Sequence, residues 1–563
     1  MPTHQVTNQP PPLAGYDASA DPALHDALRA FHTGGPRGAA SPGATSDAPG
    51  APDSPAAALA QLRGIGRLAG SERAQEQGRL ANENPPKLRT HDRYGHRIDE
   101  VEFHPAWHEL MTTAIEHGLH ATPWQDPRPG AHLDRAARFY LWGQAEAGHL
   151  CPVSMTYAIV PALRHAPELA ARYEPLLAAT VYDKSHRPGT AKQGLTAGMS
   201  MTEKQGGSDV RANTTAAVGA GDGSHRITGH KWFTSAPMGD LFLVLARTPG
   251  ADLSCFLLPR VLPDGSRNGM HLQRLKDKLG NRSNASAEVE YEDATAWLVG
   301  EEGRGVRTIL DMVNATRLDC VLAAATGMRL GVLHAVHHAR HRSAFGRPLR
   351  DQPLMANVLA DLAVESEAAT VVAMRLAAAA DRAAGGDERE RSFRRLALAA
   401  VKYHACKLAP AHAAEALECL GGNGYVEESG MPRLYREAPL GSIWEGSGNV
   451  AALDALRALT RQPETADAFF AELDLARGAD RRLDDAIDRL RKDAAEPSEH
   501  DGRRLAEALA VTLQASLLIR HGHPAVADAF AATRLAGAGG RAYGTLPRGT
   551  RVEDIASRAE PGA

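Results

Sequence analysis

The chain has 563 residues, a formal net charge of -4, and 43% hydrophobic and 23% charged residues. This length exceeds a single hydrophobic core, so we expect roughly three to five folding units. The near-neutral charge excludes a general attraction to nucleic acid or to an anionic membrane, and leaves only a local basic patch open. The five cysteines lack C-x-x-C spacing, which argues against a disulfide framework or a zinc site and favours a cytoplasmic protein.

The N-terminal arm, residues 1–58, has an unusual composition between Gly34 and Pro55, where almost every residue is Gly, Ala, Pro, Ser, Thr or Asp. Such a stretch buries too little apolar surface to offset the entropy of ordering, so it predicts a disordered insert. The first twelve residues do not resemble a signal peptide, and no run of about 18 apolar residues is present. We therefore expect no membrane partner.

Three changes of hydrophobic pattern divide the rest of the chain. Helical periodicity over residues 59–195 predicts an all-α domain, and short apolar or alternating runs between turn signals over residues 196–300 predict a compact β domain. Alanine- and leucine-rich helical patterns then return over residues 301–460 and predict an α-helical bundle. The arginine-rich helical stretch 461–563 is predicted to form a further C-terminal helical domain.

Two short segments at the start of the β domain combine glycine with hydroxyl and aromatic residues. In the segment from Met201 to Asp209, the glycines would let backbone amides approach a ring system while Thr202 and Ser208 donate hydrogen bonds. The segment from Gly229 to Ser235 has the pattern of a β-strand. Taken alone, the first is equally well a glycine-containing turn, and the second is better explained as a strand with an apolar inner face.

Three more segments follow in the predicted helical bundle, and together with the first two they resemble the acyl-CoA dehydrogenase family. They are Arg342-Ser-Ala-Phe-Gly346, Glu418-Cys-Leu-Gly-Gly-Asn-Gly-Tyr425 and the stretch from Arg433 to Asn449. The resemblance implies a multidomain α+β fold with an N-terminal α-helical domain, a central β-barrel and a C-terminal α-helical bundle. It also implies FAD as the cofactor, an acyl-CoA or related small molecule as the substrate, and electron-transfer flavoprotein as an electron acceptor.

The resemblance further implies which residues contact FAD. Phe233 takes the place of the family's aromatic residue beside the flavin ring, Ser235 that of its hydroxyl residue, and Arg342 that of an arginine on the pyrophosphate of a neighbouring subunit. Glu418 departs from the family, which carries glutamine there. The complete implied set is Met201, Thr202, Gly207, Ser208, Phe233, Thr234, Ser235, Arg342, Phe345, Gly421, Gly422, Trp444, Gly446, Ser447 and Asn449.

Glu445 takes the position of the family's catalytic base. Removing a weakly acidic proton beside a thioester carbonyl requires a carboxylate in a dry site. Some family members carry this base on an earlier helix, but the matching residue here is Thr316, which cannot serve, and Arg317 beside it matches enzymes whose base lies on the loop. The alternative is a structural glutamate at the start of a helix.

Within the family, the chain resembles the AidB-like branch over nearly its whole length. The segments that carry this resemblance are Arg274 to Ser286, Ser442 to Asn449, Leu80 to Pro86 and Phe103 to His108. They imply a homotetrameric flavoprotein of the DNA alkylation response, with double-stranded DNA bound by the C-terminal helical domain and weak isovaleryl-CoA dehydrogenase activity. A working acyl-CoA dehydrogenase of fatty-acid or branched-chain amino-acid breakdown, or a purely structural FAD, remain the alternatives.

The residues of the C-terminal stretch only permit a DNA surface. Residues 461–563 contain 15 basic and 17 acidic residues, so the segment is not basic in bulk. Arginines such as Arg477 and Arg481 lie near aspartates and are expected to form ion pairs. Metal binding by the histidines from His334 to His341 is not expected, because no carboxylate or cysteine accompanies them. The predicted phosphate contacts are Arg457, Arg534, Arg541, Arg548 and Arg551.

Overall fold

The structure is a computed structural model that describes residues 4–32 and 55–562. The predicted disordered insert lies outside the described residues, except that Pro55 begins a helix. The chain folds as two compact units. Unit 1 consists of residues 1–72, 128–144 and 320–563, and unit 2 of residues 73–127 and 145–319.

Eighteen helices and eleven strands are assigned in the described ranges. The helices are α1 (Pro22–Phe31), α2 (Pro55–Ala69), α3 (Glu72–Glu83), α4 (Pro105–Glu116), α5 (Thr122–Gln125), α6 (Ala131–Trp142), α7 (Leu150–Leu163), α8 (Pro167–Leu177), α9 (Gly305–His341), α10 (Pro353–Ala384), α11 (Glu388–Glu418), α12 (Met431–Glu437), α13 (Gly448–Arg461), α14 (Pro463–Asp474), α15 (Arg481–Ala495), α16 (Gly502–His521), α17 (Pro524–Phe530) and α18 (Val552–Arg558). The strands are β1 (Lys87–His91), β2 (Arg97–Glu102), β3 (Ala197–Ser200), β4 (Ala216–Gly219), β5 (His225–Ser235), β6 (Leu241–Arg247), β7 (Leu253–Pro259), β8 (Met270–Leu275), β9 (Ser286–Val299), β10 (Ser343–Ala344) and β11 (Arg347–Pro348).

Unit 2 contains the predicted β-barrel. Strand β6 pairs with β7, β7 with β9, β9 with β5, β5 with β4, and β4 returns to β6 through the single pair Ala216 and Arg247. This cycle of pairings closes the sheet on itself and leaves β3 and β8 as added strands on β6 and β9. Both central strands β6 and β7 are buried along almost their whole length, which explains their continuous apolar sequences.

The first predicted domain is not all-α. Strands β1 and β2 form an antiparallel hairpin over residues 87–102, inside the range predicted to be helical. Asp92 builds the connecting turn, because its carboxylate accepts hydrogen bonds from the backbone N–H groups of Tyr94 and His96. The hairpin was missed because its strands are only five and six residues long and hold few apolar residues, so they give no clear period-2 pattern.

Unit 1 is a helical bundle centred on α10 and α11. Pro353 occupies the first turn of α10, and the side chain of Asp387 accepts a hydrogen bond from the N–H of Glu390 to cap α11. Helices α13, α14 and α16 all contact α11, and Phe469, Leu509 and other apolar residues of α14 and α16 are buried. The prediction of a separate domain after residue 460 is therefore wrong, because this segment completes the same core.

Helix α9 is long and apolar enough to cross a membrane by length and composition alone. However, 78% of its apolar window is buried inside the protein, which is typical of a core helix. The described cysteines, Cys151, Cys255, Cys320, Cys406 and Cys419, are all buried, and none of them forms a disulfide bond with another described cysteine.

Candidate functional site

In unit 2, a buried ion pair anchors the loop that follows β3. The carboxylate of Glu203 accepts hydrogen bonds from the N–H groups of Thr214 and Thr215 at 2.7 and 3.0 Å, and Lys231 Nζ lies 2.9 Å from its Oε1. Burial alone would raise the pKa of Glu203, but these hydrogen bonds and the lysine hold it at about 2. The Glu203 carboxylate is therefore ionised at neutral pH and fixes the loop to the barrel.

The same loop brings a glycine against a hydroxyl group. A Cβ atom added at Gly207 would lie 2.5 Å from Thr202 Oγ1, which is closer than van der Waals contact allows. The N–H of Trp232 donates to the carbonyl of Thr202 at 2.8 Å, so β5 also fixes the backbone of the loop. Met201 and Thr202 are half-buried, and Gly207 and Ser208 are exposed.

Strand β5 presents Phe233 and Ser235 on its outer face. The ring of Phe233 is 50% exposed, which is unusual for phenylalanine in a monomeric surface. Thr234 is the exception among the predicted contacts. Its side chain is fully buried and its hydroxyl group lies 2.7 Å from Ser200 Oγ. Because side chains alternate along a strand, Thr234 faces the barrel interior and its side chain cannot contact a ligand beside Phe233.

In unit 1, the turn between β10 and β11 carries an exposed phenylalanine. Phe345 is 97% exposed and has φ +52°, a left-handed conformation that costs a non-glycine residue about 1 kcal/mol or more. Arg342 at the start of the turn donates from Nη1 to the carbonyl of Asn8 at 2.7 Å. An N-terminal residue thus holds this turn, a contact that the sequence did not predict.

The glycine-rich segment after α11 forms an open turn. No atom lies within 4 Å of a Cβ added at Gly421 or Gly422, and Gly421 has φ +59°. Tyr425 just beyond is 82% exposed. Glu418 is exposed at the end of α11, so its carboxylate remains solvated.

Glu445 lies in the turn that precedes α13. It has φ +56°, and Gly446 follows with φ +104°, so two consecutive residues adopt left-handed conformations. Glu445 lies three residues before α13, which begins at Gly448, so it stands near the start of that helix but outside its first turn. Asn449 in its first turn accepts a hydrogen bond from Arg503 Nε at 2.8 Å.

A buried lysine that the sequence analysis missed contacts the same turn. Lys402 of α11 donates from Nζ to the carbonyl of Trp444 at 2.8 Å and to that of Gly446. The indole N–H of Trp444 is buried without an acceptor among the described residues. Arg317 is buried on α9, next to buried Thr316, in unit 2. A signal for Lys402 existed, because it stands in a run of buried residues on α11.

The predicted DNA arginines divide into three groups. Arg534 is mostly buried and forms ion pairs with Asp361 at 2.7 Å and Glu365 at 3.2 Å, so its prediction as a phosphate contact is wrong. Arg551 is exposed but lies 3.5 Å from Asp554. Of the five predicted arginines, Arg457, Arg541 and Arg548 are exposed and form no ion pair with the described residues.

Comparison with protein families decides the relationship. Residues 8–184 match the adaptive response protein AidB N-terminal domain, residues 198–294 the acyl-CoA dehydrogenase middle domain, and residues 303–460 the acyl-CoA dehydrogenase C-terminal domain. The chain is also 47% identical over 481 residues to AidB of Escherichia coli (strain K12), covering 85% of this chain and 88% of that protein. The chain belongs to the AidB branch of the acyl-CoA dehydrogenase family.

Two further relatives support this assignment. Acyl-CoA dehydrogenase family member 11 of Caenorhabditis elegans is 32% identical over 407 residues, covering 70% of this chain and 65% of that protein. The crystal structure of C. elegans ACDH-11 in complex with C11-CoA superposes with a TM-score of 0.84 at 27% identity, covering 95% of this chain and 93% of that one. The acyl-CoA dehydrogenase fold, predicted from the motifs, is confirmed.

Acyl-CoA dehydrogenases are FAD-dependent oxidoreductases that act on CH–CH bonds. Each unit of this chain has residues that fit FAD. In unit 2 the exposed ring of Phe233 adjoins a loop in which Gly207 and Thr202 leave no room for a further atom. In unit 1 the open glycines at 421 and 422 leave backbone groups accessible to a phosphate.

Proposed function

We propose that this chain dehydrogenates acyl-CoA thioesters of the isovaleryl type, with Glu445 as the base that removes the proton beside the thioester carbonyl. The observation that carries the proposal is the conformation of Glu445, which is held left-handed in a turn at the position of the family's base. Backbone strain of this kind persists when surrounding contacts impose it, and it is concentrated at functional sites.

The proposed reaction balances as follows. Glu445 would take the proton from the carbon beside the carbonyl, and bound FAD would supply the acceptor for the hydride that leaves the next carbon, so that a carbon–carbon double bond forms. Phe233 and Ser235 of unit 2 would contact the flavin ring, while Arg342, Gly421 and Gly422 of unit 1 would contact the FAD pyrophosphate of a neighbouring subunit. Electron-transfer flavoprotein would then accept the electrons.

A steady-state assay with an artificial electron acceptor tests this function. The panel runs from isovaleryl-CoA to C11-CoA, because C. elegans ACDH-11 was crystallised with the latter. Turnover of at least one thioester that is lost in Glu445→Gln supports the proposal. Glu427→Gln is the control and should retain turnover, because Glu427 is exposed and forms an ion pair with Arg436. Equal turnover by Glu445→Gln and the unaltered protein would remove Glu445 from the mechanism.

We also propose that the protein is a homotetramer. Unit 1 exposes four large apolar side chains near the predicted cofactor contacts in sequence, namely Phe345, Leu354, Tyr425 and Ile443. Exposed apolar residues of this size are typical of contact surfaces. Light scattering after size exclusion should give four times the mass of the chain, and Phe345→Ser with Tyr425→Ser should give smaller species.

Double-stranded DNA binding, within a role in the alkylation response, is the second candidate. Its support is the 47% identity to AidB and the match to an adaptive response protein, together with the unpaired arginines Arg457, Arg541 and Arg548. These side chains can each neutralise a phosphate, and such binding weakens steeply with salt. The amino-acid sequence shows no recognisable module that reads DNA bases. We therefore expect this binding to be independent of the DNA sequence.

Removing residues 461–563 cannot test this candidate, because that segment completes the core of unit 1. The test is a triple variant, Arg457→Ser, Arg541→Ser and Arg548→Ser, titrated with a DNA duplex at two salt concentrations. Loss of salt-sensitive binding in the variant supports DNA binding, and Arg477→Ser, already paired with Asp474 and Asp488, is the control. No binding by the unaltered protein at low salt would contradict it.

A further inference from the structure

Lys402 is a buried cation whose hydrogen-bond acceptors both belong to the turn that carries Glu445. Its side chain is only 1% exposed, and its Nζ donates to the carbonyls of Trp444 and Gly446. An ammonium group loses its hydration on burial, so hydrogen bonds to protein atoms must replace the lost bonds to water.

The two acceptors stand on either side of Glu445 in the sequence. Because one nitrogen atom binds both carbonyls, the peptide plane before Glu445 and the peptide plane after Gly446 are held in fixed directions. These two planes enclose Glu445 and Gly446, so they jointly restrict the backbone dihedral angles of both residues and the direction of the Glu445 Cα–Cβ bond. Without the lysine, a residue with φ +56° followed by one with φ +104° would relax toward more populated conformations.

The lysine itself is rigidly placed. It stands near the middle of α11, a helix of 31 residues that contacts α10, α13, α14 and α16. The next residue, Tyr403, packs in a buried cluster with Ala451 and Ala452 of α13 and Ala506 of α16. Lys402 therefore connects the turn to the best-packed part of unit 1.

We propose that Lys402 is a positioning residue, which holds the turn so that the Glu445 carboxylate meets the substrate proton. This inference rests on the proposed function of Glu445 as the base. Lys402 does not touch the reacting atoms in this account, and it acts only through the backbone of the turn. A displacement of about 1 Å at a reacting group can cost about 100-fold in rate.

Two variants of Lys402 separate its hydrogen bonds from its charge. Lys402→Met keeps the length and removes the donors, and Lys402→Gln keeps N–H donors without the charge. The control is Lys407→Met, on the same helix, which removes an exposed ammonium group close to Gly448. Lys407 makes no hydrogen bond to the carbonyls of Trp444 or Gly446.

Hydrogen exchange of the peptide spanning residues 438–449 is measured on the FAD-loaded protein, together with the rate of flavin reduction by isovaleryl-CoA. We expect at least about tenfold faster exchange in Lys402→Met and about 100-fold slower reduction, with the substrate Kd within about threefold of the unaltered protein. Lys402→Gln should give exchange and reduction rates between those of Lys402→Met and the unaltered protein. It is the variant that decides the test if Lys402→Met does not fold. Lys407→Met should match the unaltered protein.

Unchanged exchange in both Lys402 variants would overturn the inference. Faster exchange with an unchanged reduction rate would also overturn it, because the turn would then move without affecting the base. If the unaltered protein is not reduced by any acyl-CoA, the proposed function fails instead, and the exchange result alone decides whether Lys402 holds the turn.

Discussion

A single methyl group at residue 207 is enough to disturb the loop after β3. Gly207→Ala would place a Cβ 2.5 Å from Thr202 Oγ1 and displace a hydroxyl group predicted to contact the flavin. We expect the purified variant to retain at most about a tenth of the FAD of the unaltered protein, since the loss of a hydrogen bond and added strain are worth about 1.4 kcal/mol or more.

The matched control is Gly219→Ala on β4, where an added Cβ meets nothing within 4 Å. FAD content is measured from the flavin absorbance of the purified proteins. Equal FAD content in both variants would show that the loop after β3 does not contact the cofactor.

At this scale the sequence predicted residues whose role depends on local pattern. Phe233 and Ser235 stand on the outer face of β5 and Glu445 lies in a strained turn, while their contacts with FAD and substrate stay predictions. The prediction that the Thr234 side chain contacts FAD failed because the motif does not indicate which side of a strand faces inward. Arg534 failed because its partners, Asp361 and Glu365, are about 170 residues away in the sequence.

At the scale of elements, an arginine joins the central helices of unit 1. Arg375 of α10 forms two hydrogen bonds with Glu390 of α11, at 2.8 and 3.0 Å, and two with Glu472 of α14, at 3.2 and 2.8 Å. Arg520 of α16 also lies 2.8 Å from Glu472. Charge-assisted bonds therefore join all four side chains of this network.

Arg375→Met would leave two buried carboxylates without their common partner, which costs about 3–5 kcal/mol. For a unit of this size we expect the thermal midpoint to fall by about 6 °C or more. The control Arg477→Met breaks exposed ion pairs with Asp474 and Asp488, worth about 0–1 kcal/mol. A fall no larger than that of the control would show that the network does not stabilise unit 1.

The order of helical, β and helical segments was predictable from hydrophobic periodicity, but two boundaries were not. The hairpin of β1 and β2 was missed because its strands span only five and six positions and hold few apolar residues. The residues after 460 were assigned to their own domain because their composition changes there. Their apolar faces nevertheless pack on α11, and no local pattern indicates which partner an apolar face will cover.

At the scale of the whole molecule, buried carboxylates make stability depend on pH. Glu146 and Glu472 are buried, which alone would raise each pKa. Hydrogen bonds and charge from His149 and Asn82 in the first case, and from Arg375 and Arg520 in the second, hold both at about 2.

Because these folded-state values lie below the ordinary glutamate value of about 4.5, each group contributes stability that is complete above pH 4.5 and is lost as pH falls toward 2. A difference of this size is worth about 3 kcal/mol per group. The thermal midpoint should therefore fall steeply between pH 5 and pH 3, and less steeply in Glu472→Gln. The exposed control Glu499→Gln should follow the unaltered protein, and identical slopes in all three would contradict the role of Glu472.

The measurement that tests the central claim most directly is anaerobic mixing of the FAD-loaded protein with isovaleryl-CoA, followed at the flavin absorbance band. The account predicts that the band bleaches in a single exponential phase, and that Glu445→Gln slows bleaching by at least about 1000-fold while FAD content is unchanged. Equal rates of bleaching in Glu445→Gln and the unaltered protein would contradict Glu445 as the base. No bleaching of the unaltered protein by any thioester from isovaleryl-CoA to C11-CoA would contradict acyl-CoA dehydrogenation itself.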